Sequence, residues 1–333
     1  MLLVPKLAVT KPLKSIAVLT SGGDDPGMNA AIRAVVRYGI AQGCEVYGVT
    51  KGYSGLLEGQ IHPMNASSVA NIIQRGGTIL KTDRCEAFHR KTVRREAANI
   101  LRRKGIDALV VIGGDGSFTG ASLLEAENGY PTIGVPGTID NDIAGTDDTI
   151  GFDTAVNTAI EAIDRIRDTA SSHDRIFLVE VMGRSSGYIA LQTGIGGGAE
   201  TILVPEYREP MANVIKMIER GVKRGKSSSI IVVAEGAKPG LSQRISDDLL
   251  ARGYKPKVCI LGHTQRGGSP TAHDRLLASV LGASAVAFLL AGKSNAMVGV
   301  QSNHVALVPF RQVIGKLKEL PKDVLLLAQI LAS

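Results

Sequence analysis

The 333-residue chain has no tryptophan, only 4% aromatic residues and three cysteines. With so few aromatic faces there is little for unstacked bases to rest on, which disfavours a nucleic-acid binder despite a formal net charge of +7. The basic residues are scattered through mixed-sign segments, and their surplus suits small polyanionic substrates better than a duplex. Cys44, Cys85 and Cys259 form no close pair and are odd in number, which argues against a disulfide framework or a zinc knuckle and places the chain in a reducing cytoplasm. No apolar run is read as reaching about 18 residues, so no membrane span is expected. The opening MLLVPKLAVTKPLK is interrupted by Pro5 and Lys6 and lacks a small-residue cleavage pattern, so it reads as an extension before the first strand. Tandem repeats, low-complexity linkers, a Walker A loop and a protein-kinase signature are all missing. One further absence is local: residues 136–151, PGTIDNDIAGTDDTIG, contain Asp140, Asp142, Asp147 and Asp148 and not a single Lys or Arg.

With 44% hydrophobic and 21% charged residues the composition is that of a globular protein, and the length suits about two domains. Short apolar runs alternate with helical patterns. Strands are expected at Ser15–Leu19, Glu45–Val49, Ala108–Ile112, Thr132–Val135, Arg175–Val181, Glu200–Val204, Ser229–Val233 and Lys257–Leu261, with helices over Asn29–Ala41 and Val93–Arg103. Such alternation predicts a parallel α/β architecture, and the apolar runs suit strands covered on both faces.

SIAVLTSGGDDPG and ALVVIGGDGSFTG each run from an apolar strand through Gly-Gly-Asp into a helix. In open α/β sheets ligands bind beyond the carboxyl ends of strands, where glycines let backbone N–H groups approach phosphate and the following helix N-terminus favours an anion. Two such turns can hold one polyphosphate; each alone is also an ordinary tight turn. A nucleotide phosphate brings a magnesium ion, which keeps most of its waters and uses one or two carboxylates, and Asp115 in GGDGS stands in the right place. Phosphoryl transfer also needs an acceptor for the hydroxyl proton. Asp140 or Asp142 can serve: with an extended backbone their i, i+2 spacing sends both side chains, and that of Thr138, to one side. Asp147 and Asp148 read as solvated loop charges or helix caps before Gly151. Counter-charges for anionic substrates are offered by Arg84, Arg175, Arg184 and Arg266, each beside a strand end or glycine turn, while His263 reads as a turn residue.

TSGGDDPGMNAAIR, VVIGGDGS, PGTIDNDIAGTDDTIGFDTA, EVMGRSSG and LGHTQRGGSP, in this order, resemble the ATP-dependent 6-phosphofructokinase family of the bacterial type, from about Lys14 to at least Gln301. The resemblance implies two Rossmann-like three-layer αβα domains with mainly parallel sheets: a larger ATP-binding domain over 1–151 plus about 264–314, and a smaller sugar-phosphate domain over about 152–263 plus 315–333. It implies transfer of the γ-phosphoryl of MgATP to the 1-hydroxyl of fructose 6-phosphate. By residue, it makes Asp140 the base, Asp115 the magnesium-linked aspartate and Asp142 a neighbour of the sugar, with Thr138 near the transferring phosphoryl. Gly23, Arg84 and Arg184 match positions that stabilise the transition state or bridge the substrates; Met182, Gly183, Glu235, His263 and Arg266 match the sugar-phosphate pocket. Gly22, Tyr53, Arg94, Gly114, Gly116, Ser117 and Gly120 match the nucleotide side.

The same resemblance implies a homotetramer in which Arg175 reaches the neighbouring subunit's sugar phosphate. It also implies an effector site for ADP or phosphoenolpyruvate at Arg33, Arg37, Arg167, Glu200, Arg224 and Lys226. Three positions depart from the pattern: Lys257 replaces a second neighbour-donated arginine, Asn71 an acidic residue and Leu123 a basic nucleotide contact. A pyrophosphate-dependent relative is the nearest alternative. Those proteins resemble GGDDS and PKTIDND where this chain has Gly116 and Gly137, and glycine at both leaves room for the α-phosphate of ATP. A regulatory subunit without turnover is disfavoured by the joint retention of Asp115, Asp140 and Arg184.

Overall fold

In the computed structural model, residues 2–171, 176–207, 209–223, 229–236 and 240–331 are described. Two compact units emerge, one of Met1–Thr138, Ile143–Asp153 and Arg266–Lys318, the other of Ile139–Asp142, Thr154–Gln265 and Glu319–Ser333.

The first unit is built on a seven-stranded sheet. In chain order its elements are β1 (Ser15–Ser21), α1 (Met28–Ala41), β2 (Glu45–Val49), α2 (Gly52–Leu57), β3 (Ile61–Met64), α3 (Lys91–Arg103), β4 (Ala108–Gly113), α4 (Asp115–Asn128) and β5 (Thr132–Pro136). The second unit follows with α5 (Phe152–Ser171), β6 (Ile176–Val181), α6 (Tyr188–Gly196), β7 (Thr201–Leu203), α7 (Met211–Lys223), β8 (Ser229–Ala234), α8 (Leu241–Leu250) and β9 (Pro256–Ile260). The chain then returns to the first unit with α9 (Ala272–Leu290), β10 (Ala296–Gln301) and β11 (His304–Pro309), and ends on α10 (Lys322–Leu331) of the second.

Strand order in the large sheet is β11-β10-β5-β4-β1-β2-β3. The five inner strands are parallel, and the antiparallel strands β11 and β3 close the two edges. Every residue of β1 is buried, and its alternation serves two cores. Ile16 and Val18 face the cluster built with α1 and α9, whereas Ala17 and Leu19 face the cluster built with α2, α3 and α4. That is a three-layer αβα arrangement, and it explains why the inner strands read as continuous apolar runs. The second unit carries an all-parallel sheet in the order β7-β8-β6-β9. Leu178, Ile231 and Val233 pack there against Val214 and Ile218 of α7 and Ile245 and Leu249 of α8, and α6 contacts β8.

The expectation that no apolar stretch reaches about 18 residues is corrected by α9, a 19-residue helix of mean hydropathy 1.3. It is a core helix, with 78% of its apolar window buried. Gly282 lets it lie close on α1, since a Cβ there would come within 2.6 Å of the Ala31 carbonyl oxygen.

Candidate active site

The two Gly-Gly-Asp turns of the sequence lie side by side. Strands β1 and β4 are adjacent and parallel with Ser21 opposite Gly113, so both turns leave the same sheet edge. They are tied by the Ser117 hydroxyl, which donates to the Ser21 carbonyl at 3.0 Å. Gly113 is small of necessity, because a Cβ would fall 2.4 Å from that same carbonyl. Gly114 and Gly116 are different: a Cβ at either would meet no atom within 4 Å, so protein packing does not demand glycine there. The open space above them faces the N-terminus of α4, where backbone N–H groups and the helix dipole favour phosphate.

Asp115 is exposed on the first turn of α4, and the Gly315 N–H donates to its Oδ1 at 2.8 Å. Among the described residues no three His, Cys, Asp or Glu side chains gather as a metal cage. A magnesium ion shared with phosphate oxygens and water needs only one or two carboxylates, so Asp115 above an open glycine turn fits that group.

On the β1 side, Gly22 adopts φ 94°, its carbonyl accepts from the Thr82 hydroxyl at 2.9 Å and its N–H reaches the Asp83 carbonyl. This draws the 82–84 loop alongside the turn, with the Arg84 side chain exposed. Arg266 donates from Nη1 to the Asp24 carbonyl at 3.1 Å, and a Cβ on Gly23 would lie 2.5 Å from that nitrogen. Gly23 is therefore what allows the Arg266 guanidinium onto the turn.

In the second unit, Asp140 is 4% exposed and Asp142 half-buried. Between them Asn141 has φ 48°, so the backbone is not extended and the premise that spacing alone points both carboxylates one way does not hold. Arg184 follows Gly183 (φ 135°), itself adopts φ 52°, and is exposed. Its N–H donates to Glu235 Oε1 at 2.9 Å, while the Met182 N–H donates to Oε1 of the fully buried Gln265 at 2.8 Å. His263 is exposed in a short 3-10 turn, Gly262–Arg266. The turn after β6 thus brings Met182, Gly183, Arg184 and Glu235 together.

A family model described as phosphofructokinase matches residues 15–289. The chain belongs to the phosphofructokinase family. It is 54% identical over 324 residues to ATP-dependent 6-phosphofructokinase 1 of Thermus thermophilus, covering 96% of this chain and 100% of that one. It is 53% identical over 321 residues to ATP-dependent 6-phosphofructokinase of Clostridioides difficile, with the same coverage. Among solved structures, phosphofructokinase from Pichia pastoris in the T-state superposes with a TM-score of 0.85 at 38% identity over 91% of this chain, which spans 36% of that longer one. A pyrophosphate-dependent phosphofructokinase from Marinobacter aquaeolei shares the fold, with a TM-score of 0.81 at 24% identity over 95% of this chain and 91% of that one.

Against the pattern expected of a phosphofructokinase, some residues stand differently. Arg94 is 4% exposed and fully engaged: Nε and Nη2 donate to Glu127 at 2.8 and 2.7 Å, and Nη1 donates to the Phe88 carbonyl. It joins α3 to α4 and does not present its guanidinium to a nucleotide. Tyr53 is also 4% exposed, stacks on Phe88 at 3.9 Å between centroids and donates its hydroxyl to the Ser117 carbonyl at 2.7 Å. Burial pushes that hydroxyl's pKa up, so it remains a donor. Gly120 lets this aromatic pair lie against α4, since a Cβ would touch both rings at 3.1 Å. Gly137 is packed more closely than Gly116: a Cβ there would lie 3.1 Å from both Asp25 Oδ2 and Ile112 Cγ2, a tight fit in which those neighbours would have to give by a few tenths of an ångström. Asp147 and Asp148 are no idle loop charges. Asp147 Oδ2 accepts from the Ser302 N–H at 2.6 Å, and Asp148 pairs with His273 at 3.3 Å.

Thr138 is half-buried, and its backbone is held by the Ile150 carbonyl and the Thr149 hydroxyl. Of the effector positions, Arg33 and Arg37 share one face of α1, Arg37 donating to the Ala66 carbonyl. Arg167 Nη2 donates to the Gly197 and Gly198 carbonyls, and Glu200 accepts from the Ile230 N–H. Arg175, Arg224 and Lys226 lie outside the described residues. Lys257 is exposed on β9, Asn71 is exposed with φ 54°, and Leu123 is 37% exposed on α4.

Gln265, Ser186 and Asp274 went unread in the sequence. Asp274 is fully buried and accepts from the Gly151 N–H at 2.9 Å, fixing the end of the acidic segment. Its signal was present: Thr271 and Asp274 have the spacing of a capping box, and the Thr271 hydroxyl accepts from the Asp274 N–H.

Proposed function

We propose that this chain transfers the γ-phosphoryl of MgATP to the 1-hydroxyl of fructose 6-phosphate, giving fructose 1,6-bisphosphate and ADP, the committed step of glycolysis. The observation that carries the reading is the pair of Gly-Gly-Asp turns fastened by Ser117, with open space over Gly114 and Gly116. Relatives that match nearly the full chain at 51–54% identity bear the name of the ATP-dependent enzyme.

The first unit binds the nucleotide and the second the sugar phosphate. Phosphate oxygens rest beside the Gly22–Gly23 turn and on the N-terminus of α4, and Asp115 would hold the magnesium ion. When bound, that ion offsets the charge on the β- and γ-phosphate oxygens. Asp140 takes the proton of the 1-hydroxyl as its oxygen forms a bond to the γ-phosphorus, and the bond from that phosphorus to the β–γ bridging oxygen breaks to release ADP. Thr138, Arg84 and Arg184 stabilise the transferring group, an electrostatic contribution. Met182, Gly183, Glu235, His263 and Arg266 hold the sugar, with Asp142 beside it. The protein works in the cytoplasm as a homotetramer, Arg175 and Lys257 reaching a neighbour's sugar phosphate, and ADP or phosphoenolpyruvate binds at Arg33, Arg37, Arg167, Glu200, Arg224 and Lys226.

Initial rates with fructose 6-phosphate and either ATP or pyrophosphate test the donor. Turnover with ATP alone is the expected result, and turnover with pyrophosphate alone would overturn it. Asp140→Asn keeps the shape and removes the proton acceptor, so kcat is expected to fall by about 10²–10⁴ with modest KM change. A near-normal kcat would remove Asp140 from the role of base.

A further inference from the structure

We infer that Ser186 is a positioning residue for the base, its hydroxyl locking the backbone at Asp140 to the turn that carries Arg184. The inference rests on the reading of Asp140 as the proton acceptor.

Asp140 sits in a turn, between the end of β5 and the left-handed Asn141, outside any helix or strand that would fix it by regular backbone pairing. Its carbonyl oxygen accepts from the Ser186 hydroxyl at 2.8 Å, a bond formed between residues 46 apart in the chain. Both partners are enclosed, Asp140 at 4% and Ser186 at 6% exposure. Water cannot readily substitute for the serine, and removing the hydroxyl leaves the carbonyl short of a buried donor.

The other side of Ser186 is as constrained. Its N–H donates to the Gly183 carbonyl at 2.8 Å, closing the turn over Arg184. Gly183 adopts φ 135°, and a Cβ there would fall 2.4 Å from the Ser186 carbonyl oxygen, so the turn is as tight as glycine permits. The Arg184 N–H is held in addition by Glu235. One serine therefore ties the loop bearing the substrate-bridging arginine to the residue that takes the proton. Because Ser186 precedes α6, a helix-capping role is the competing explanation. The Tyr188 N–H reaches its Oγ only at 3.4 Å, a weaker contact than the bond to Asp140. Capping would appear in stability; positioning appears in the rate of the chemical step.

The test is a single-turnover measurement by rapid quench on the full-length protein, with enzyme in excess over ATP and fructose 6-phosphate saturating. Its first-order rate constant is blind to any unfolded fraction, which changes only the amplitude. Ser186→Ala is expected to slow the rate constant by about three- to tenfold, the weight of one neutral buried hydrogen bond, while the dissociation constant for fructose 6-phosphate moves less than about twofold. Ser186→Cys, with a weaker donor of similar size, is expected to fall between the two, and it carries the comparison if the alanine variant does not fold. A rate constant within about 1.5-fold of the parent for the variant tested overturns the proposal. Asp140→Asn, run alongside, separates the two readings. Loss of its rate with an unaffected Ser186 variant refutes positioning alone, whereas retention of its rate refutes the base and the positioning built on it.

Discussion

Gly116 and Gly137 are the two glycines that the sequence resemblance makes the determinants of donor choice, yet the structure separates them. Nothing stands within 4 Å of a Cβ at Gly116, and Asp25, Ile112 and Met28 crowd one at Gly137. Gly116→Asp is therefore expected to fold as the parent does, since a carboxylate on the first turn of α4 is favourable to the helix. It should raise the KM for ATP by about tenfold or more, because the same carboxylate occupies the space and repels the charge of the nucleotide phosphates. Gly137→Ala is expected to do the reverse, costing about 1–3 kcal/mol of stability by overpacking with less effect on ATP selectivity. Steady-state kinetics and thermal melts of the two variants check this; unchanged ATP kinetics in a folded Gly116→Asp protein would show that this glycine does not choose the donor. At this scale the sequence was legible where a residue's role is set by its neighbours in the chain. The Gly-Gly-Asp turns could be read, but the Arg94 partner Glu127, 33 residues away, and the Ser186 partner Asp140 could not.

Helix α9 shows how an element can hold a loop. Its first turn carries His273 and Asp274, which fasten Asp148 and the Gly151 N–H, so the acidic segment is moored to a core helix at two points. The hydrogen bond to Asp148, aided by the charges of Asp153 and Asp274, raises the pKa of His273, and the same bond lowers that of Asp148. The signs differ. His273 contributes its full stabilisation below its ordinary value of about 6.5 and loses it as pH rises through the raised folded value. Asp148 contributes above about 3.8 and loses its share as pH falls through the lowered one. The pair is therefore complete between about pH 4 and 6.5. Both side chains are more than a third exposed, so it is worth about 0–1 kcal/mol. His273→Gln is expected to lower Tm by about 1–2 °C near pH 5.5 and to leave it unchanged near pH 9, read by calorimetry at the two pH values. A cost that is the same at both would mean that packing, not charge, is what His273 supplies. Elements themselves were readable where apolar runs feed two cores, as in β1 and β4. Three strands of the large sheet were not: β3 contains Pro63, tolerated because it lies on an edge, and β10 and β11 join through Ser302-Asn303, both at positive φ, without the usual glycine signal.

For the molecule as a whole, β9 poses the question of assembly. It is an edge of the four-stranded sheet, bonded to β6 on one side, and it carries an exposed Lys257 and an Ile260 that is 61% exposed. Soluble proteins cover or charge such an edge, and here one residue charges it while another leaves apolar surface. If Lys257 reaches the sugar phosphate of a neighbouring copy, each active site draws on two chains, and that can be tested by complementation. Lys257→Glu retains Asp140 but offers its neighbour a repelling charge; Asp140→Asn retains Lys257 but lacks the base. Each variant alone is expected to be nearly inactive at limiting fructose 6-phosphate. Co-expressed in equal amounts and assembled at random, they restore an intact pairing of Asp140 from one chain with Lys257 from another at about one site in four, so activity should rise to about a quarter of the parent's. Hybrids purified through two different affinity tags make the comparison quantitative. Activity no greater than the mean of the two parent variants would mean that Lys257 serves its own chain or no site at all, and β9 would then need another partner to explain its exposed edge.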